Sequence, residues 1–379
     1  MRATFTLGRI AGVRVGVHWS VVLIFGIIAV SLAQGELPDA DPGRARVLYW
    51  VAGLAAAVVF FVSLLAHELA HAVVARRNGV SVDDIVLWLL GGVARLKAEA
   101  SNPGAELRIA GVGPLVSLLL GGLFVLGTWL LHLASAPDLL VQVMAWLAGI
   151  NVLLAVFNSL PAAPLDGGRL LRALLWWRTG DRLRATAGAT VAGRALGWLL
   201  LVLGFVLFLR GGGFGGLWLA LIGWFLVGAA TAEGRQAQVR GMLAGVPVRN
   251  AMTRDPVVVP EDLDVAHLLD NPFYRHAAFP VTGGDREPVG LVTLRGVRNA
   301  RPESGGTVTA GEVMVPLAQL TVAGPDDSLA DLLPRMEPGP EHRVLVTEEG
   351  RLVGILSLSD VSRTVTYLAE TSPRARRGP

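Results

Sequence analysis

Two patterns of hydrophobic and polar positions divide the chain. The first part carries long unbroken apolar stretches: Trp19–Ala33, Leu48–Ala75, Ile109–Leu131, Leu139–Leu160, Leu196–Leu209 and Phe214–Ala230. An apolar run of about 18 or more residues matches the hydrocarbon core of a bilayer, so these six read as transmembrane helices, the fifth unusually short. Ile85–Val93 (IVLWLLGGV) is apolar but too short to cross. Its Gly91-Gly92 pair predicts a hairpin or re-entrant loop, which membranes tolerate only where protein or water covers the backbone. The N-terminal stretch MRATFTLGRIAGVRVGVHWS alternates apolar and polar residues around Gly12. That pattern predicts a short β-hairpin before the first span, not a cleavable signal sequence.

Beyond residue 232 the pattern changes. Residues 233–246 are small and polar and read as a linker. From Pro247 short apolar runs alternate with turn residues, and the sequence repeats. RNAMTRDPVVVP at 249–260 parallels AGEVMVPLAQLTVAGP at 310–325, and AAFPVTGGDREPVGLVTLRGV at 277–297 parallels HRVLVTEEGRLVGILSLSDV at 342–361. Each copy reads strand, helix, strand, turn, strand, helix. The expected organisation is a membrane domain over 1–232, the linker, repeats over 247–301 and 302–370, and a disordered basic tail over 371–379. The fold class is thus a polytopic α-helical membrane protein followed by a soluble α/β module.

Composition agrees. Hydrophobic residues make up 53%, charged residues 17%, and mean hydropathy is +0.54, which excludes an ordinary soluble enzyme. The net charge is only +3, so the high pI reflects arginine usage and gives no reason to expect nucleic acid. The absence of cysteine excludes disulfides, thiolate metal sites and a cysteine nucleophile. Arginine and lysine cluster at one side of the spans: Arg2, Arg9 and Arg14, then Arg76, Arg77, Arg95 and Lys97, then Arg169, Arg172, Arg178, Arg182 and Arg184. The opposite loops hold Arg44, Arg46 and Arg210. Positive charge stays cytoplasmic, so both termini and the repeat module are expected in the cytoplasm of a multi-pass cell-membrane protein.

The second span carries His67-Glu68-Leu69-Ala70-His71. Residues four apart on a helix face the same way, so both imidazoles can reach one zinc ion, with Glu68 beside them to take a proton from an attacking water. Ionisable groups inside a span are costly unless they face a protected polar site. The alternative is a hydrogen-bonded pair of buried histidines. A third ligand is needed, and without cysteine it is a carboxylate or histidine. Asp166 is the candidate: it follows a Pro-rich break in AVFNSLPAAPLDGGRLLRALLW, and the topology puts it at the depth of His67 and His71. Its alternative role is a helix N-cap. Gly167 and Gly168 would permit close approach to another helix. Asn158 could donate to the substrate carbonyl oxygen as charge develops there, or make an interhelical bond. Asn151 reads as structural. Arg169 could pair with a carboxylate or a lipid phosphate. His18 and His132 sit at span ends and read as interfacial.

AHELAH at 66–71, GGVARL at 91–96, ELRIAGVGPLVSLLL at 106–120 and NVLLAVFNSLPAAPLDGGRLLRALLW at 151–176 together resemble the site-2 protease family of intramembrane metalloproteases. The resemblance implies zinc bound by His67, His71 and Asp166, Glu68 as catalytic base, and Asn158 aiding substrate positioning or the oxyanion. It implies regulated cleavage of single-span membrane proteins. The C-terminal repeat resembles a tandem pair of CBS domains, which implies a possible adenine nucleotide or a homodimer contact. Ser357 and Asp360 of GILSLSD match a ribose-contact pattern, whereas the first repeat keeps Thr293 but has Gly296 in place of the acid. The competing reading is a CBS-regulated transporter or channel with a structural metal site.

Overall fold

The computed structural model describes residues 4–88, 91–96, 100–211, 213–270, 276–299, 308–336 and 343–371. The expected basic tail, Thr371 apart, lies outside the described residues. The chain divides into two compact units, Met1–Arg235 and Gln236–Pro379.

In the first unit, β1 (Phe5–Ile10) and β2 (Val13–Val17) form the expected antiparallel hairpin. Ala11 and Gly12 make its turn, both at positive φ (50° and 78°). That conformation matches the twist of paired strands. Arg76 donates to the Ala11 carbonyl and so fixes the turn to the end of the second span.

The six apolar spans run Ser20–Ala40, Arg46–Arg77, Pro103–Leu133, Asp138–Ser159, Arg182–Leu209 and Gly213–Leu243. The first is composite: α1 (Ser20–Ser31), a π-helical stretch Leu32–Glu36, and α2 (Leu37–Ala40). The others are α3 (Arg46–Arg77), α4 (Pro103–Leu133), α5 (Asp138–Ser159), α7 (Arg182–Leu209) and α8 (Gly213–Leu243), with the short α6 (Asp166–Thr179) between α5 and α7. Only 17–33% of each span's most apolar window is buried inside the protein, so most of that apolar surface is left for lipid.

Two spans extend furthest beyond their apolar runs. α7 begins at Arg182, well before Leu196, with Asp181 capping the Arg184 amide at 3.0 Å. Arg184 interrupts the hydrophobic pattern without interrupting the helix, because its end turns need not lie in hydrocarbon. α8 runs on to Leu243, so most of the segment read as a linker is helical. α7 and α8 meet through paired glycines: a Cβ on Gly204 would lie 2.6 Å from the Gly216 carbonyl, and one on Gly223 would lie 2.6 Å from the Gly197 carbonyl. Small residues of this kind let helix backbones approach in lipid.

β3 (Val82–Trp88) and β4 (Gly91–Leu96) realise the short apolar segment as a hairpin. β2 pairs with β3 in parallel, and this joins the two hairpins into one sheet of order β1-β2-β3-β4. Buried Val13 and Ile85 seat that sheet on Ala72, Leu65 and Leu69 of α3.

The second unit holds β5 (Thr253–Arg254), β6 (Val259–Pro260), α9 (Val265–Asp270), β7 (Ala278–Thr282), β8 (Pro288–Thr293) and α10 (Leu294–Asn299) from the first repeat. The second repeat supplies α11 (Ala310–Val313), β9 (Val315–Pro316), β10 (Thr321–Ala323), α12 (Leu329–Leu332), β11 (Val344–Glu348), β12 (Arg351–Leu356) and α13 (Leu358–Thr371). The repeats exchange strands. One sheet is β6-β7-β8-β9 and the other β10-β11-β12-β5, so each is completed by the other repeat. Equivalent glycines permit this: a Cβ on Gly290 would meet Met314, and one on Gly354 would meet Met252.

Candidate metal centre

His67 and His71 lie four residues apart on α3 and are both buried. Their Nε2 atoms are 3.2 Å apart. Asp166, at the start of α6, places Oδ2 3.2 Å from His67 Nε2 and 3.1 Å from His71 Nε2. Among the described residues these three form the group able to hold a metal ion. Asp166 makes no helix-cap bond; Leu165 occupies the cap position.

The remaining sides of both rings are held by α4. His71 Nδ1 lies 2.6 Å from the Ile109 carbonyl, and His67 Nδ1 lies 2.9 Å from Ser117 Oγ. A carbonyl oxygen only accepts, so His71 carries a proton on Nδ1, and in its neutral form the ring presents a lone pair at Nε2. The His71 lone pair and the Asp166 carboxylate oxygen, 3.1 Å apart, repel one another unless a proton or a metal ion lies between them. A tetrahedral zinc site with bonds of about 2.0–2.1 Å has ligand–ligand edges of about 3.3 Å. The observed edges of 3.1–3.2 Å fit that group.

Glycines make these approaches feasible. A Cβ on Gly113 of α4 would overlap His71 Nε2 and lie 2.7 Å from His67 Nε2. A Cβ on Gly92 of β4 would lie 2.7 Å from Glu68 Oε1, so the edge strand runs directly beside that carboxylate. Gly167 and Gly168 face the Ser159–Leu160 and Ala162–Ala163 backbone. Their expected close partner was another helix; it is the Pro-rich break itself, which contains a cis Ala163–Pro164 bond. Asn158 is partly buried in the last turn of α5. Asn151 is fully buried and donates to the Leu147 carbonyl at 2.8 Å.

Sequence reasoning missed Ser117, Gly113 and most of a buried ion cluster. Glu106 of α4 is buried and accepts from Arg172 of α6 through both Nε and Nη2. Arg172 Nη1 also reaches Glu233 of α8 at 3.3 Å, and Arg169 stands 3.8 Å from Glu106. The sequence signal was a set of charges at span ends, of which only Arg169 was read as a partner for a carboxylate.

In the second unit, Ser357, Asp360 and Thr293 are buried. Asp360 Oδ2 accepts from the Ser357 amide at 2.8 Å, and Thr293 Oγ1 accepts from the Gly296 amide at 3.0 Å. Ser357 Oγ in turn accepts from the Asp360 amide at 3.3 Å, the counterpart of the Thr293–Gly296 bond. A small cleft in the second repeat is lined by Gln319, Thr321, Arg335 and Arg343, and by none of those three residues.

The chain matches peptidase family M50 over residues 55–135 and 129–203, and the CBS domain over residues 248–303 and 310–367. It is 45% identical over 386 residues to a Mycobacterium tuberculosis protein named zinc metalloprotease Rip3, covering 100% of this chain and 98% of that one. It is 29% identical over 371 residues to zinc metalloprotease sll0528 of Synechocystis, covering 95% of each. Among solved structures, the site-2 protease from Methanocaldococcus jannaschii aligns at 28% identity and a TM-score of 0.42, covering 61% of this chain and 95% of that one.

The chain belongs to peptidase family M50. It is a site-2-protease-like metalloprotease and a multi-pass membrane protein, with a tandem CBS pair in its C-terminal unit. This membership removes the transporter or channel reading, which never accounted for a hydrolase donor set of His67, Glu68, His71 and Asp166.

Proposed function

We propose that the protein hydrolyses peptide bonds within or beside the transmembrane segments of single-span membrane proteins. The observation that carries this reading is the convergence of His67, His71 and Asp166 beside Glu68 in a bundle of apolar spans. His67, His71 and Asp166 are the residues to hold one zinc ion. When bound, zinc would polarise the peptide carbonyl and acidify water. Glu68 takes the proton from the attacking water as the oxygen–carbon bond forms, and gives it to the leaving nitrogen as the carbon–nitrogen bond breaks. Asn158 donates to the carbonyl oxygen as negative charge develops.

A helix hides its peptide bonds, so the substrate unwinds locally before attack. Among the described residues the edge strands of the sheet are β1 and β4. We assign the substrate to β4, by strand addition, because Gly92 brings that edge against Glu68. Arginine at the span ends supports cytoplasmic termini and a cytoplasmic CBS module.

We further propose that the CBS pair gates the protease, through an adenine nucleotide at Ser357 and Asp360 with Thr293 as a lesser contact, or through homodimer geometry. α8 supports this: Glu233 on it pairs with Arg172 of α6, the helix that carries Asp166, and the chain continues from α8 into the CBS repeats. The nucleotide version predicts measurable ATP, ADP or AMP binding by calorimetry on the detergent-solubilised protein, and heat-silent titrations count against it.

The primary test measures zinc content and cleavage together on wild type and Glu68→Gln, with a panel of single-span substrates. About one zinc per chain in both, and cleavage lowered by about 10²–10⁴-fold in Glu68→Gln, supports the reading. Well-folded wild type without zinc overturns it.

A further inference from the structure

We propose that Ser117 is a positioning residue of the metal centre: its hydroxyl holds the His67 ring by Nδ1 and thereby sets the zinc affinity of the site. The inference rests on the zinc reading above. Ser117 is fully buried on α4, with Oγ 2.9 Å from His67 Nδ1. Two turns earlier on the same helix, the Ile109 carbonyl takes His71 Nδ1. One helix therefore grips both rings from the side away from Asp166 and turns both Nε2 atoms toward it.

Three features of α4 bear on the grip. Gly113 leaves room for the two rings. Pro114, inside the helix, has no N–H, which leaves the Ala110 carbonyl, next to that of Ile109, without its usual donor. Ser117 follows Gly113 by four residues and so lies on the same face.

The two grips differ in kind. The Ile109 carbonyl can only accept, so it fixes the His71 tautomer outright. A hydroxyl can donate or accept. When His67 Nδ1 donates to Ser117, Nε2 is a ligand. When Ser117 donates to Nδ1, the ring proton sits on Nε2 and blocks ligation. Ser117 thus makes His67 the adjustable histidine of the pair. Partners of this type around metal-bound histidines alter affinity by about 10–100-fold.

The test uses the full chain in detergent. Zinc dissociation constants come from competition with a chromogenic chelator, and thermal melts are taken with the metal removed. Ser117→Ala is expected to weaken zinc binding by about 10–100-fold with the metal-free melt little changed. Ser117→Cys, close in size but a poorer partner, falls between and gives a reading if the alanine variant fails to fold. Thr128→Ala, on the same helix but bonded to the Phe124 carbonyl, leaves affinity unchanged. Wild-type affinity in both Ser117 variants overturns the proposal. Wild type that binds no zinc sinks the metal-centre reading, and the proposal with it.

Discussion

Asp166 Oδ2 stands 3.2 Å from His67 Nε2, although the two residues are 99 positions apart in the chain. The contact exists because the Pro-rich break after α5 stops one helix and starts α6 with its first carboxylate facing α3. Asp166→Ala removes one of the three proposed ligands and leaves the His pair without its anion. Metal analysis of the purified variant is expected to show less than half the wild-type zinc, with residual binding that a mild chelator strips.

Two glycines near the site should give opposite phenotypes. In Gly113→Ala the new methyl group meets both imidazoles, so zinc content falls with activity. In Gly92→Ala it meets Glu68 and not the ligands, so zinc stays and cleavage drops at least about tenfold. Equal zinc contents in the two variants would contradict this division of roles.

Strand addition at β4 makes a backbone prediction. Val93 pairs with Val86 and Ala94 with Ile85 in the β3–β4 ladder. Successive amides point to opposite sides of a strand, so of Val93→Pro and Ala94→Pro one removes a ladder bond and the other an outward donor. The outward one should slow cleavage while leaving the thermal melt intact. Unchanged rates in both would remove β4 from substrate binding.

The exchanged strands of the CBS pair can be tested by stability alone. Gly354→Val would drive its side chain into Met252, whose Sδ a Cβ would already approach to 2.6 Å. Overpacking of this kind costs about 1–3 kcal/mol, so the C-terminal unit should melt earlier while zinc content is unchanged.

The sequence alone determined the elements whose signal is local. Long apolar runs set the six spans, a 3.6-residue period put His67 and His71 on one face, and a repeat of about 62–64 residues marked the C-terminal pair. The motif residues His67, Glu68, His71 and Asp166 were legible because inside a membrane domain their cost demands a purpose. What only the tertiary structure decided depends on contacts between distant segments. The parallel β2–β3 pairing that unites two hairpins, the exchange of β5 and β9, and the Arg172 bridge from Glu106 to Glu233 leave no periodic trace in one chain. Ser117 and Gly113 were silent for the same reason: a serine or glycine in an apolar helix looks alike whether it packs against lipid or against an imidazole. Position along the chain sets which face a residue occupies, and only packing sets what that face meets.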